Sequence, residues 1–251
     1  MRAAPFLIAG LAWLCGCGPT SSPQKPGITV AAAANLTNAF GEIAKQFEAA
    51  TGVHVIHSFA ATGDLTRQIE NSAPFDVFAA ADIRHIDELA SRDLITEGTR
   101  AVYARGRLVL WTPPHAKVEV NSLGDLAKQG VRFIAIAKPG MAPYGAAAVE
   151  SLRNSGLWES VKDKIVYAES ISMAKQYAAT HNADASFTAY SLVLNSGGHA
   201  LPVDEKLHIA IEQAIAVLKR SRRQDLARRY QQFVLGSQGR AILERYGYAR
   251  P

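Results

Sequence analysis

Cysteine is nearly missing from this chain: there are 2 in 251 residues, Cys15 and Cys17, both at the very start. Whatever follows that leader has no thiol left for a disulfide or a thiolate metal site and must be held by its core. Long apolar runs are equally scarce. Beyond Phe6 to Leu14, itself too short for a mature span, no stretch approaches the roughly 20 apolar residues that a transmembrane helix needs. Aromatic residues make up 8% and are not interleaved with the scattered Lys and Arg, so a net charge of +5 does not add up to a nucleic-acid groove. There is no P-loop, no G-x-G-x-x-G opening a helix and no G-x-S-x-G elbow. Nor is there an internal repeat. His54 and His57 are three apart on an expected strand and so point to opposite faces. His85, His115, His181, His199 and His208 have no partners at helical spacing, so no metal cation is expected on protein ligands.

What is present is the composition of a globular protein, 48% hydrophobic and 20% charged. At the N-terminus, Arg2 followed by the apolar run reads as a secretory signal. Leu14-Cys15-Gly16-Cys17 resembles a lipobox, which makes residues 1–17 a lipoprotein-type signal peptide and Cys17 the lipid-bearing mature terminus. An ordinary signal peptide cut slightly later is the alternative. Residues 18–27, with Ser21-Ser22-Pro23-Gln24-Lys25-Pro26, read as a flexible tether.

From residue 28 onward short β-branched runs alternate with helical periodicity. "ITVAAAA" reads as a strand, with Leu36, Phe40, Ile43, Ala44 and Phe47 following at helical spacing. Further strands are expected at "VHVIHSFA", "PFDVFAAA", "RLVLWTP", "RFIAIAKP", "KIVYAES" and "DASFTAY". Helices are expected at "DLTRQIEN", "IRHIDELASRDL", "NSLGDLAKQG", "APYGAAAVESLRNSG" and "SMAKQYAATH". This alternation predicts an α/β fold with mostly parallel sheets covered on both faces. Helix N-termini then meet the carboxyl ends of strands, where ligands bind.

Four of those turns are chemically alike: Ala34-Asn35, Ala61-Thr62-Gly63, Ala142-Pro143-Tyr144-Gly145 and Ser170-Ile171-Ser172. Each offers unpaired N–H groups beside a small or hydroxyl-bearing side chain, and none has Lys or Arg at the turn. Together they suit one small dianion held by donors and helix dipoles. Taken singly, Asn35, Thr62 and Ser172 also read as ordinary N-caps. "NSGGH", residues 195–199, reads as a surface loop. The basic run at residues 219–230 reads as a solvated helix face or as a contact for a permease or anionic lipid.

Three stretches carry a family resemblance that extends from about Ile28 to the C-terminus. "AAAANLTNAFGEIAKQFEAATGVHV", "SFAATGDLTRQIENSAPFDVFAAAD" and "FVLGSQGRAILERYGY" resemble the first strand and helix, the second corner and the closing helix of the periplasmic molybdate-binding proteins of ABC importers. The resemblance implies two α/β lobes joined by crossover strands, with residues 28–105 and 210–251 in lobe I and residues 106–209 in lobe II. It further implies molybdate or tungstate as ligand, no cofactor, no catalytic residue, a monomer, and a permease with its ATPase as partners. The place implied is the periplasmic or cell-surface side.

Carried over by position, the resemblance assigns oxyanion binding to Asn35, Thr62, Tyr144 and Ile171. Ala34-Asn35 is similar to the family's Thr-Asn pair with its hydroxyl lost, and Thr62 stands where Ser is usual. Tyr144 matches the branch with a tyrosine in the third corner. Ile171 stands in place of a valine whose backbone N–H binds, and Ala189 falls where some members have a tyrosine. Molybdate, tungstate and sulfate need donors only, whereas phosphate at neutral pH keeps a proton and needs an acceptor. Asp64 is either such an acceptor or a solvent-facing charge in a first turn. A receptor for sulfate or phosphate is the alternative within the binding class. Outside it stands a hydrolase or transferase using Asp76, Asp82 or Ser172, for which no motif pairs a nucleophile with a base.

Overall fold

The computed structural model describes residues 26–251; Cys17, the leader 1–17 and nearly all of the tether 18–27 lie outside the described residues. The chain opens with strand β1 (Gly27–Ala33), whose last four residues are buried, as befits a strand covered on both faces. A short 3₁₀ turn (Ala34–Leu36) leads into helix α1 (Thr37–Thr51). That helix buries Ala39, Phe40, Ile43, Ala44 and Phe47 on one stripe and stops at Gly52, whose φ of 72° is the left-handed geometry of a helix C-terminus. Next come β2 (His54–Ala60), α2 (Thr62–Glu70), β3 (Val77–Ala79), α3 (Arg84–Ser91) and β4 (Ala101–Gly106).

One residue later β5 (Leu108–Thr112) starts a different sheet. This second part continues through β6 (Ile134–Ala137), α4 (Pro143–Asn154), α5 (Trp158–Val161), β7 (Ile165–Ala168), α6 (Ile171–Ala179), β8 (Ala185–Ala189), α7 (Tyr190–Val193) and β9 (His199–Pro202). The chain then returns to the first sheet as β10 (Ile211–Val217) and ends in α8 (Gln224–Leu235) and α9 (Ser237–Arg245).

The two sheets have five strands each, ordered β2-β1-β3-β10-β4 and β7-β6-β8-β5-β9. The βαβ parts are parallel, as expected: β1 with β2 and β3, and β6 with β7 and β8. The crossing strands add antiparallel pairings that the alternation of strands and helices does not reveal, with β10 between β3 and β4, and β5 between β8 and β9. The fold is thus α/β and two-lobed, and each lobe's sheet is half parallel and half antiparallel.

The first lobe's core includes an aromatic group of Phe40, Phe47, Tyr230 and Phe233, through which α1 and α8 pack. His57 stacks at its edge on Phe59. The expected helix at residues 121–130 is only a 3₁₀ turn, Leu123–Ala127. Asp125 takes the N–H groups of Asn121 and Ser122, and glycines at 124 and 130 discourage continuation. Among the described residues no helix is long and apolar enough to cross a membrane.

Candidate functional site

The four corners come together. Asn35, Thr62, Tyr144 and Ile171 all line one very small cavity between the sheets, of about 10 Å³, walled otherwise by alanines and Pro143. All four are buried, none more than 4% exposed. No charged side chain lines this cavity. Thr62 and Ile171 are the first residues of α2 and α6, Tyr144 is the second of α4, and Asn35 sits in the turn that opens α1. First-turn N–H groups have no acceptor within their own helix. Those of Asn35, Thr62, Tyr144 and Ile171 have no other partner among the described residues. The site therefore gathers unpaired helix-start N–H groups and helix N-terminal dipoles around one small cavity.

The side chains divide their work differently from the N-cap reading. The caps are Ala61 for α2, Ala142 for α4 and Ser170 for α6, the last accepting from the Met173 N–H at 3.3 Å. Asn35, Thr62 and Ser172 cap nothing, because the extended strand geometry stops one or two residues earlier than the spacing of polar residues suggests. Thr62 Oγ1 accepts the N–H of Ala81 at 3.2 Å, which leaves its own proton uncommitted.

Asn35 donates inward through Nδ2, to Gln213 Oε1 at 2.9 Å and to the Tyr248 hydroxyl at 3.0 Å. What Asn35 offers the cavity as a donor is thus its backbone N–H. Its Oδ1 is buried with no partner among the described residues. Tyr144 receives Gln213 Nε2 at 3.0 Å on its hydroxyl oxygen. Burial pushes the Tyr144 and Tyr103 phenols well above the usual tyrosine range, so both remain neutral donors.

Gln213, Tyr103 and Tyr248 are missed by the sequence reading. Only Gln213 leaves a local trace, as a polar residue inside the otherwise apolar end of "IEQAIAV". The lobes also touch directly: the Gly63 N–H donates to the Met141 carbonyl at 2.9 Å, and Ser191 Oγ donates to the Asn35 carbonyl at 3.0 Å.

Other singled-out residues lie elsewhere. Asp64 pairs with Arg67 at 2.6 Å on the surface and does not line the cavity. Asp76 accepts from the Thr29 N–H at 2.8 Å and from Ser221 Oγ at 2.6 Å, tying the start of β1 to the turn after β10. Asp82 holds His85 Nδ1 at 2.8 Å. Ala189 is buried as the residue before α7, and Tyr190 packs against Gly247 rather than reaching the cavity. In the 195–199 stretch, the Gly197 carbonyl accepts from Trp111 Nε1 at 2.9 Å and His199 begins β9.

Residues 28–249 match the family described as bacterial extracellular solute-binding protein. The chain is 36% identical over 248 residues to the molybdate-binding protein ModA of Azotobacter vinelandii, covering 97% of this chain and 98% of that one. It is 36% identical to the ModA of Rhodobacter capsulatus, covering 90% of each. The solved structure of the Azotobacter vinelandii periplasmic molybdate-binding protein superposes with a TM-score of 0.84 at 30% identity, covering 89% of this chain and 99% of that one.

Proposed function

We infer that this chain, which belongs to the bacterial extracellular solute-binding protein family, captures molybdate or tungstate outside the cytoplasm and hands it to an ABC permease. The observation that supports this reading is that Asn35, Thr62, Tyr144 and Ile171, four helix-start residues whose N–H groups have no backbone partner among the described residues, line one buried cavity without a charged lining. Such a site favours a fully deprotonated dianion, because it supplies donors and dipoles and little to accept a ligand's proton. Asn35, Thr62 and Ile171 are proposed to contribute backbone N–H groups, with the Thr62 and Tyr144 hydroxyls adding side-chain donors. The Gly63–Met141 and Ser191–Asn35 contacts then serve a hinge that shuts the lobes over the anion.

The lobes are proposed to comprise residues 28–105 with 210–251, and 106–209. The protein binds and releases and does not catalyse. It works as a monomer, tethered through a lipid on Cys17. Cys17→Ser should leave it unprocessed or absent from the membrane fraction, and a wild-type protein already free of that fraction would refute the anchor.

The ligand is tested by linked stability. A ligand that binds only the folded state adds about 4 kcal/mol at a thousandfold excess over Kd. Molybdate and tungstate should raise the melting temperature by several degrees, and equal sulfate or phosphate should do much less. Equal shifts with all four anions would refute the assignment.

A further inference from the structure

Gln213 is fully buried on β10, at the register shift in its pairing with β4. Its Oε1 faces two donors, Asn35 Nδ2 at 2.9 Å and the Tyr103 hydroxyl at 2.8 Å, whose single proton is shared with the Ala80 carbonyl at 3.0 Å. Those contacts orient the amide, so that Nε2 points at the Tyr144 oxygen, 3.0 Å away. The contact is built into the backbone as well. A Cβ on Gly106 would lie 2.0 Å from the Tyr144 hydroxyl and 2.6 Å from Gln213 Nε2, so only glycine leaves room for the pair.

A phenol carries one proton and prefers it in the ring plane, on one side of the oxygen or the other. Gln213 fills one side as a donor, which leaves the other for the Tyr144 proton. No hydrogen bond among the described residues takes that proton, and Tyr144 lines the cavity beside Asn35, whose buried Oδ1 is itself unpartnered. We propose that Gln213 is the positioning residue that commits Tyr144 to donating into the cavity, and that it thereby sets the preference for oxyanions without a proton. The inference rests on the oxyanion reading of the site. Without Gln213 the phenol is free to turn and accept a proton, which suits hydrogen phosphate better and molybdate worse.

The test is calorimetric titration of the full chain with molybdate and with inorganic phosphate, for wild type, Gln213→Met, Tyr144→Phe and the double variant. Tyr144→Phe should weaken molybdate binding by about tenfold or more, the range for a hydrogen bond to a charged group. Gln213→Met should cost about tenfold for molybdate and nothing for phosphate, narrowing the preference by that factor. In the Tyr144→Phe background Gln213→Met should cost less than about twofold, since a residue acting through another is not additive with it.

Equal losses in both backgrounds, or an unchanged molybdate-to-phosphate ratio, would overturn the inference in favour of a purely structural role. If Gln213→Met does not fold, Gln213→Asn keeps an amide but falls one carbon short of Tyr144, and it should show the same pattern. Folded Gln213 variants with wild-type affinity and a weakened Tyr144→Phe would overturn this inference alone. A wild type that binds no oxyanion would overturn the site reading with it.

Discussion

Gly106→Ala is the smallest change that reaches the centre of the site from outside it. Gly106 ends β4, one residue before the chain crosses to the second sheet, and pairs with Ile211 across the ladder. The added methyl would meet the Tyr144 oxygen at 2.0 Å and Gln213 Nε2 at 2.6 Å, distances that no relaxation of a few tenths of an ångström can absorb. Tyr144 is 1% exposed and Gln213 0%, so neither side chain can swing into solvent. The pair must part, or α4 must move away from the first lobe.

Overpacking costs about 1–3 kcal/mol, and a buried polar group left unpaired costs about 1–3 kcal/mol. The variant should therefore lose roughly 2–6 kcal/mol, read as a lower urea midpoint at unchanged slope by circular dichroism. Because the same movement withdraws the Tyr144 donor, molybdate affinity should also fall by at least about tenfold, the lower bound for one charged hydrogen bond. A stability change under about 0.5 kcal/mol with unaltered affinity would refute the geometry on which both the site and the role of Gln213 are built.

Three other perturbations probe separate parts of the account. Thr62→Val removes the acceptor for the Ala81 N–H and should cost the empty protein about 1 kcal/mol; calorimetry should show a further loss of molybdate affinity, and unchanged binding would remove the Thr62 hydroxyl from the donor set. Gly63→Ala would place a Cβ 3.2 Å from Met141 Cα beside the interlobe hydrogen bond, so it should weaken ligand binding several-fold while leaving each lobe folded; small-angle scattering should show a more open molecule in molybdate. His57 is held at a pKa of about 4 by burial, with Glu48 opposing. Its stabilisation is complete above the ordinary value of 6.5 and is lost as pH falls from there through 4, about 3 kcal/mol in all; urea midpoints from pH 7.5 to 4.5 should fall less steeply for His57→Phe, and parallel slopes would contradict the assignment.

Some of this was legible in the sequence and some was not, for a physical reason. Each of Asn35, Thr62, Tyr144 and Ile171 lies at a strand-to-helix turn, and such a turn announces itself locally through a small-residue strand end and a change of period. What could not be read is what holds them. Asn35 meets Gln213 178 positions away and Tyr248 213 positions away, contacts that no local pattern encodes. The N-cap assignments failed by one or two residues because the caps at the cavity are mostly alanines, whose backbone turns without a side-chain bond. β4, β9 and β10 escaped the reading as well. β10 carries Gln213 in its buried interior, and its strand character comes from pairing with β3 and β4 rather than from alternation.

The central claim is that a charge-free pocket of donors selects a large, unprotonated oxyanion. Calorimetric titration of the full chain with molybdate, tungstate, sulfate and phosphate at neutral pH tests it most directly. One-to-one binding of molybdate and tungstate is expected, with much weaker binding of sulfate and the weakest binding of phosphate, whose proton meets a lining dominated by donors, with the unpartnered Asn35 Oδ1 as the exception. Phosphate binding as tight as molybdate binding, or no binding of any of the four, would contradict it.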